Sequence, residues 1–135
     1  MNNGMVRSLM VALLLTLLVV TPVLATPPDD AYGEAIELWR NDTGAGFEMT
    51  GTFEGLGIET YGEGKSSRFV CDPCMVDGKT GTVVFNLVQV NYNTLQGHFT
   101  SLYATGDLEG LHFQGHYDGT ETGATYTGKI HFEPN

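Results

Sequence analysis

Basic residues are scarce in this chain. Only 6 of the 135 residues are Lys or Arg, against 16 Asp and Glu, and the formal net charge is −10. Nucleic acids and anionic membrane surfaces are both recognised through clustered Lys and Arg. The composition therefore argues against either as a partner of the folded domain. Because the acidic residues are scattered, they are typical of a solubilising surface.

Several catalytic and cofactor-binding motifs are also absent. The chain has no Gly-x-Ser-x-Gly elbow for a nucleophilic serine. The Gly-rich segments at 55–57 and 62–64 precede strand-like residues, whereas a phosphate loop precedes a helix. The turn at 77–81 lacks the acidic spacing of a calcium loop. No cofactor is therefore predicted, and no catalytic residue can be assigned.

Cysteine occurs only twice, as Cys71 and Cys74 around an Asp-Pro dipeptide. In an exported protein such a pair predicts a disulfide across a turn. A redox-active pair is one alternative, but the turn sequence at 75–79 does not offer the helix N-terminus that lowers a cysteine pKa. A metal knuckle is the other alternative, and it needs two further ligands, which histidines could supply.

One long apolar run lies at the N-terminus, from Leu9 to Val20. Arg7 precedes it, and Val23 and Ala25 provide a small-residue cleavage pattern, so residues 1–25 resemble a secretory signal peptide. The run is short for a membrane span, which needs about 20 apolar residues, although a retained anchor is the alternative. The protein is therefore predicted to be secreted, extracellular or periplasmic, and to begin at Thr26.

The remaining residues suffice for one domain. Residues 26–46 are interpreted as an extended leader, with a short helix possible over 31–40, and residues 47–135 as the folded domain. Asn41 begins a glycosylation sequon, which matters only in a host that modifies exported proteins.

Alternation with a period of two begins at Phe47 and recurs over 111–118 and 125–133, which indicates strands with one dry face. The segment 83–90 is apolar on both faces and is expected to be a central strand. Weaker strands are expected near 58–63, 67–70 and 98–105. The sequence thus predicts an all-β fold.

Glycines recur on the dry faces beside aromatic residues, as at Gly115 and Gly128. Inward glycines let a sheet bend, and a neighbouring aromatic ring can cover the exposed backbone. If Tyr117 pairs with Ala124, Phe113 lies opposite Gly128 and Tyr126 lies opposite Gly115. This register favours a small antiparallel β-barrel of about eight short strands over the alternative, a β-sandwich.

The segment Asp107–Leu111, together with the later strand Tyr126–Phe132, resembles the closing hairpin of small allene-oxide-cyclase-like β-barrel proteins. The resemblance covers about a quarter of the chain. It implies an antiparallel barrel of about eight strands with an open end that admits an apolar ligand. It transfers no catalytic residue to this sequence.

Histidines lie on the wet faces of the two C-terminal strands. In the register above, His112 faces Lys129 and lies diagonally adjacent to His131, at a spacing from which two imidazoles could share a metal ion. His112 and His131 are therefore a candidate metal pair. The alternative is a polar outer face that happens to contain histidine.

The function predicted from these features is binding without catalysis, by a small exported barrel. The ligand would be a small apolar molecule held by Phe53, Phe113 and Tyr126 in an open cup, or a cell-surface protein on the outer face. An isomerase or cyclase is one alternative, although it would need inward polar groups. A structural, envelope-associated module with a filled core is the other.

Overall fold

A computed structural model describes residues 28–91 and 93–133, and these residues form a closed eight-stranded antiparallel β-barrel. The all-β barrel prediction is confirmed, and the sandwich alternative is wrong. No helix within this part of the chain has the length and apolarity needed to cross a membrane. The strands are β1 Asp29–Arg40, β2 Gly44–Gly51, β3 Glu54–Tyr61, β4 Ser66–Val76, β5 Lys79–Asn91, β6 Gln96–Gly106, β7 Leu111–Thr120 and β8 Gly123–Phe132.

Each strand pairs with the next along the chain, and β1 closes the barrel against β8. In that last pairing Ala31 lies opposite Gly128, and Ala35 lies opposite Ala124. A simple up-and-down order leaves no unpaired sheet edge, because every strand has two neighbours. The β1–β2, β3–β4, β5–β6 and β7–β8 turns therefore lie at one end of the barrel, and the β2–β3, β4–β5 and β6–β7 turns lie at the other.

The predicted leader is instead the first barrel strand. β1 begins at Asp29, so the boundary placed at residue 47 is wrong, and the short helix over 31–40 is wrong as well. Ala31 and Ala35 are buried inside the barrel, whereas Ile36 and Leu38 are exposed. The inner residues of β1 are small, and its larger apolar residues lie on the outer side. Its sequence therefore lacks the alternation that marks a strand with a buried apolar face. The predicted signal peptide lies outside the described residues.

The register of β7 and β8 differs from the prediction by two residues. Tyr117 lies opposite Tyr126, and Gly115 lies opposite Gly128. The strands continue to Thr120 and Gly123, so residues 121 and 122 connect them, whereas the predicted pairing of Tyr117 with Ala124 places six residues between its partners. A Cβ added at Gly115 or Gly128 would lie 2.7 Å or 2.8 Å from the Phe113 ring, so this one ring covers both glycines.

One end of the barrel is closed by its own side chains. Phe53, between β2 and β3, and Leu108, between β6 and β7, turn inward and are completely buried. The Phe53 ring packs edge-on against Phe85 and Phe113, with both centroid distances 5.2 Å. Edge-to-face packing is the preferred arrangement of aromatic rings. The interior beneath this end is therefore a packed aromatic core.

Cys71 and Cys74 are paired at disulfide distance, with Cα atoms 5.1 Å apart. Both are completely buried, and they flank an irregularity in the pairing of β4 with its neighbours. Extra residues in one strand of a pair form a bulge that bends the strand. The pair thus lies in the wall of the barrel and does not span the surface turn that was expected.

Candidate functional site

The opposite end of the barrel contains a cavity of about 330 Å³. We call this cavity the mouth. The turns β1–β2, β3–β4, β5–β6 and β7–β8 gather around it. The inner positions of β7, β8 and β1 nearest this end are small, since they are Gly119, Ala124 and Ala35. Because these positions carry small residues or no side chain, the lumen stays open here, whereas Phe53 and Leu108 fill the other end.

Most of the wall of the mouth is apolar. Phe47, Met49, Phe69 and Phe99 line it and are at most 7% exposed, and Leu87 completes this wall at 9%. A concave, buried and mostly apolar surface with a few polar groups is the usual form of a small-molecule site.

Tyr126 lines the mouth and also connects it to the closed end. Its hydroxyl accepts a hydrogen bond from the Phe53 N–H at 3.0 Å and donates one to the Thr50 carbonyl at 2.9 Å. Burial raises the pKa of Tyr126 to about 12, an effect that the Phe53 hydrogen bond partly opposes and the Glu54 charge reinforces. The phenol is therefore neutral at physiological pH.

Arg40 and Tyr61 form a polar group on the lining of the mouth. The Arg40 guanidinium pairs with the Glu37 carboxylate and donates a hydrogen bond to the Tyr61 hydroxyl. The guanidinium carbon also lies 5.9 Å from the centroid of the Tyr61 ring. Burial raises the pKa of Tyr61, and the Arg40 charge acts in the opposite direction. The Arg40 charge is thus already engaged by two partners.

Glu59 is the acidic residue that lines the mouth. Its Oε2 accepts a hydrogen bond of 2.7 Å from Ser67 Oγ, and among the described residues it makes no ion pair. Burial raises the pKa of Tyr117 to about 12, with a further contribution from the Glu59 charge. Glu59 on β3 and Tyr117 on β7 therefore interact electrostatically, and both line the same cavity.

Sequence reasoning missed these polar residues because β3 reverses the usual alternation. Gly57, Glu59 and Tyr61 are on its inner side, while Leu56 and Ile58 are on its outer side and are each 52% exposed. An apolar face is normally read as the inner one. Polar side chains therefore point inward at this end of the barrel.

The three residues predicted to hold a ligand do not lie together in a cup. Phe53 and Phe113 are at most 1% exposed and belong to the packed core, so they do not line the mouth. Tyr126 does line it. This corrects the prediction for Phe53 and Phe113, whose large side chains fill the lumen.

The candidate metal pair lies on the outer wall. His112 is directly opposite His131 and not diagonal to it, and their rings stack with centroids 5.1 Å apart. His112 Nε2 lies 2.9 Å from Glu133 Oε1. Across residues 28–91 and 93–133, no three His, Cys, Asp or Glu side chains are grouped so that they could hold a metal ion. The predicted metal site therefore lacks a full set of protein ligands.

A wider cleft of about 620 Å³ lies outside the closed end. Its lining includes Asp29, Asp30, Met75 and Lys79, all of which are exposed. Exposed walls leave a ligand largely hydrated, so less apolar surface is removed from water there than in the mouth. The mouth is therefore the better candidate despite its smaller volume.

Comparisons with known proteins support the fold and go no further. No family model matches the chain, and no curated protein matches it. It is similar to the crystal structure of a protein with unknown function from the DUF3224 family from Shewanella oneidensis MR-1, with a TM-score of 0.51 and 14% sequence identity. The match covers 80% of this chain and 99% of the other. At this identity the similarity concerns the fold alone.

Proposed function

We propose that this protein is an exported, non-catalytic binding protein that holds a small apolar molecule in the mouth of its barrel. The observation that carries the proposal is the contrast between the two ends of the lumen. Phe53 and Leu108 fill one end, while small inner residues leave a cavity of about 330 Å³ at the other. That volume falls at the lower end of the range of about 300–1,000 Å³ typical of ligand sites.

The chemistry of the wall supports an apolar ligand. Burying apolar surface contributes roughly 25 cal/mol per Å², and five buried phenylalanine, leucine and methionine side chains line the mouth. The cavity volume equals that of about ten water molecules in the liquid. A ligand with one ring and a short branched chain fits this space. The resemblance to allene-oxide-cyclase-like barrels implies an apolar ligand at an open end as well.

The state of the tyrosines gives no support to isomerase or cyclase chemistry in which a tyrosine is the general base. A general base needs a pKa near the working pH, whereas the pKa values of Tyr117 and Tyr126 are raised to about 12. Both phenols therefore act as neutral hydrogen-bonding groups. Export is supported by the burial of Cys71 and Cys74 at disulfide distance, which is compatible with an oxidising compartment.

A test of this proposal uses neopentylbenzene, a neutral probe with one ring and a branched chain. We expect NMR titration of the folded protein to show saturable shifts at methyl groups of the mouth. Ala124→Phe would fill the cavity from an inner position of β8 and is expected to abolish the shifts. Thr125→Phe places the same ring on the outer side of the same strand and is the matched control. Absence of saturable binding, or equal binding by both variants, would contradict the proposal.

A further inference from the structure

Several aromatic side chains line the mouth. Six of the residues around it are aromatic, namely Phe47, Tyr61, Phe69, Phe99, Tyr117 and Tyr126. The face of an aromatic ring carries negative electrostatic potential and attracts cations, most strongly where water is excluded. Arg40 already lies over the Tyr61 ring, so one ring of the set makes such a contact within the protein.

We infer that the mouth selects small organic cations, in which a protonated amine or quaternary ammonium group is joined to an apolar body. This inference rests on the proposed function and specifies its ligand class. The aromatic residues provide apolar surface around the cavity, and Glu59 provides the opposite charge.

Glu59 is suited to this role by its position and its partners. It lines the cavity, and the Ser67 hydroxyl holds one of its carboxylate oxygens at 2.7 Å. Among the described residues no cation pairs with it. A half-buried carboxylate without an ion pair would gain stability from a bound cation, since the attraction is stronger here than in bulk water. Its influence on Tyr117 indicates that the charge is felt across the cavity.

The two basic groups at the mouth differ in their effect on this selectivity. Arg40 pairs with Glu37 and is hydrogen-bonded to Tyr61. The Glu37 charge therefore offsets the attraction between Arg40 and an anionic ligand. Lys65, in the β3–β4 turn, also lines the mouth and would favour an anion, which makes an anionic probe a necessary part of the test. The formal net charge of −10 raises the local concentration of cations around the whole protein.

The experiment compares three probes of similar size on the intact folded protein by NMR titration. Benzyltrimethylammonium has the shape of neopentylbenzene, with nitrogen in place of the quaternary carbon, so the pair differs essentially in charge. The third probe is the anion 3-phenylpropanoate. We expect the cation to bind about tenfold or more tightly than its neutral isostere, as several cation–ring contacts and one ion pair would give. We expect the anion to bind most weakly.

Two variants assign the selectivity to Glu59. Glu59→Gln keeps the shape and can still accept the Ser67 hydrogen bond, and we expect it to remove most of the cation's advantage, measured as the ratio of the affinities of benzyltrimethylammonium and neopentylbenzene for the same variant. Glu48→Gln removes one charge from an exposed position on β2 and is the matched control. Raising the salt from about 20 mM to about 300 mM should weaken the cation more than the isostere.

The outcomes separate this inference from the function on which it rests. If neopentylbenzene binds in the mouth and the cation binds no more tightly, the charge selectivity is wrong and the proposed function stands. If 3-phenylpropanoate binds most tightly, Arg40 and Lys65 govern the site and the inference is overturned. If both variants reduce cation binding equally, the effect is one of net charge and not of Glu59. If none of the three probes binds, the proposed function itself fails.

Discussion

The hydroxyl of Tyr126 accepts a hydrogen bond from the backbone N–H of Phe53, although the two residues are 73 positions apart in the chain. Tyr126 lies on β8 beside the mouth, and Phe53 closes the other end of the barrel. The same hydroxyl donates to the Thr50 carbonyl. One phenol therefore satisfies a carbonyl near the end of β2 and an N–H of the β2–β3 connection, and it holds the closing residue in place.

Tyr126→Phe should destabilise the protein measurably. The substitution removes only the hydroxyl and leaves the Phe53 N–H and the Thr50 carbonyl without this partner. Leaving buried backbone groups unsatisfied costs about 1–3 kcal/mol. The free energy of unfolding from urea titration measures the effect. Tyr32→Phe removes the hydroxyl of a side chain that is 68% exposed and should be nearly neutral. Equal stability of the two variants would show that the hydrogen bonds contribute nothing.

The same tyrosine should make stability depend on pH in alkaline solution. The pKa of Tyr126 is raised to about 12 in the folded protein from an ordinary value of 10.0. Between these values the unfolded chain has lost the proton that the folded protein keeps, so stability is full below pH 10 and falls as the pH rises toward 12. The slope would be at most about 1.4 kcal/mol per pH unit for this group.

Tyr117 contributes less to the change of the free energy of unfolding with pH, because its side chain is only half-buried and solvent screens its charge. Urea titrations from pH 8 to about pH 12 measure the dependence. Tyr126→Phe should flatten the slope relative to the wild type, which separates this tyrosine from the lysines that titrate in the same range. An unchanged slope in the variant would show that Tyr126 is not the group responsible.

Gly115→Val and Gly128→Val should both destabilise the barrel despite the better strand propensity of valine. A Cβ at Gly115 would lie 2.2 Å from the Thr127 carbonyl oxygen, and a Cβ at Gly128 would lie 2.3 Å from that of Gln114. Backbone cannot move aside easily, so we expect a loss of about 3 kcal/mol for each variant by overpacking.

Thr127→Val is the matched control, since Thr127 is exposed on the outer side of the same strand. It should lose little more than the hydrogen bond between its hydroxyl and His116. Thermal unfolding of the three variants decides the question. Glycine variants that melt at or above the wild-type temperature would show that the inner space over these glycines is not filled.

Cys71 and Cys74 should resist reduction as long as the barrel stays folded. Both side chains are completely buried, and thiol–disulfide exchange requires a thiolate to reach a sulfur atom. Treatment with dithiothreitol and iodoacetamide, followed by intact mass measurement, should give no alkylation in buffer and two alkylated cysteines in denaturant. Because the pair encloses a very short loop, its replacement by two alanines should cost only about 2 kcal/mol through chain entropy. Rapid alkylation in buffer would place the sulfur atoms at the surface.

The strands that sequence reasoning located are those whose inner side chains are large. In β7, Leu111 and Phe113 are buried and alternate with exposed residues, so both the strand and its inner face could be recognised. In β1 the inner residues are Ala31, Gly33 and Ala35, and the conspicuous apolar residues point outward. Hydrophobic periodicity reports burial only when the buried residues are also the hydrophobic ones.

The register and the site were harder to predict for a different physical reason. The pairing of β7 with β8 depends on how many residues the turn uses, and the polar segment 118–123 is compatible with several turn lengths. The mouth exists because Gly119 and Ala124, on the paired strands β7 and β8, and Ala35, on the first strand of the chain, leave the same part of the lumen open. This cavity depends on the three-dimensional arrangement of the strands, and no local sequence pattern predicts it.

Among the described residues, Phe53 closes one end of the lumen, so the lumen opens at the mouth. In the proposed function, a ligand enters and leaves through the mouth. The long axis of a ligand that is longer than the cavity must point out of the mouth. The inner half of such a ligand would have to match the shape of the cavity. The outer half would remain in water and could carry almost any extension. A reporter dye tethered at that outer end should therefore leave affinity nearly intact, while the same dye tethered at the inner end should prevent entry.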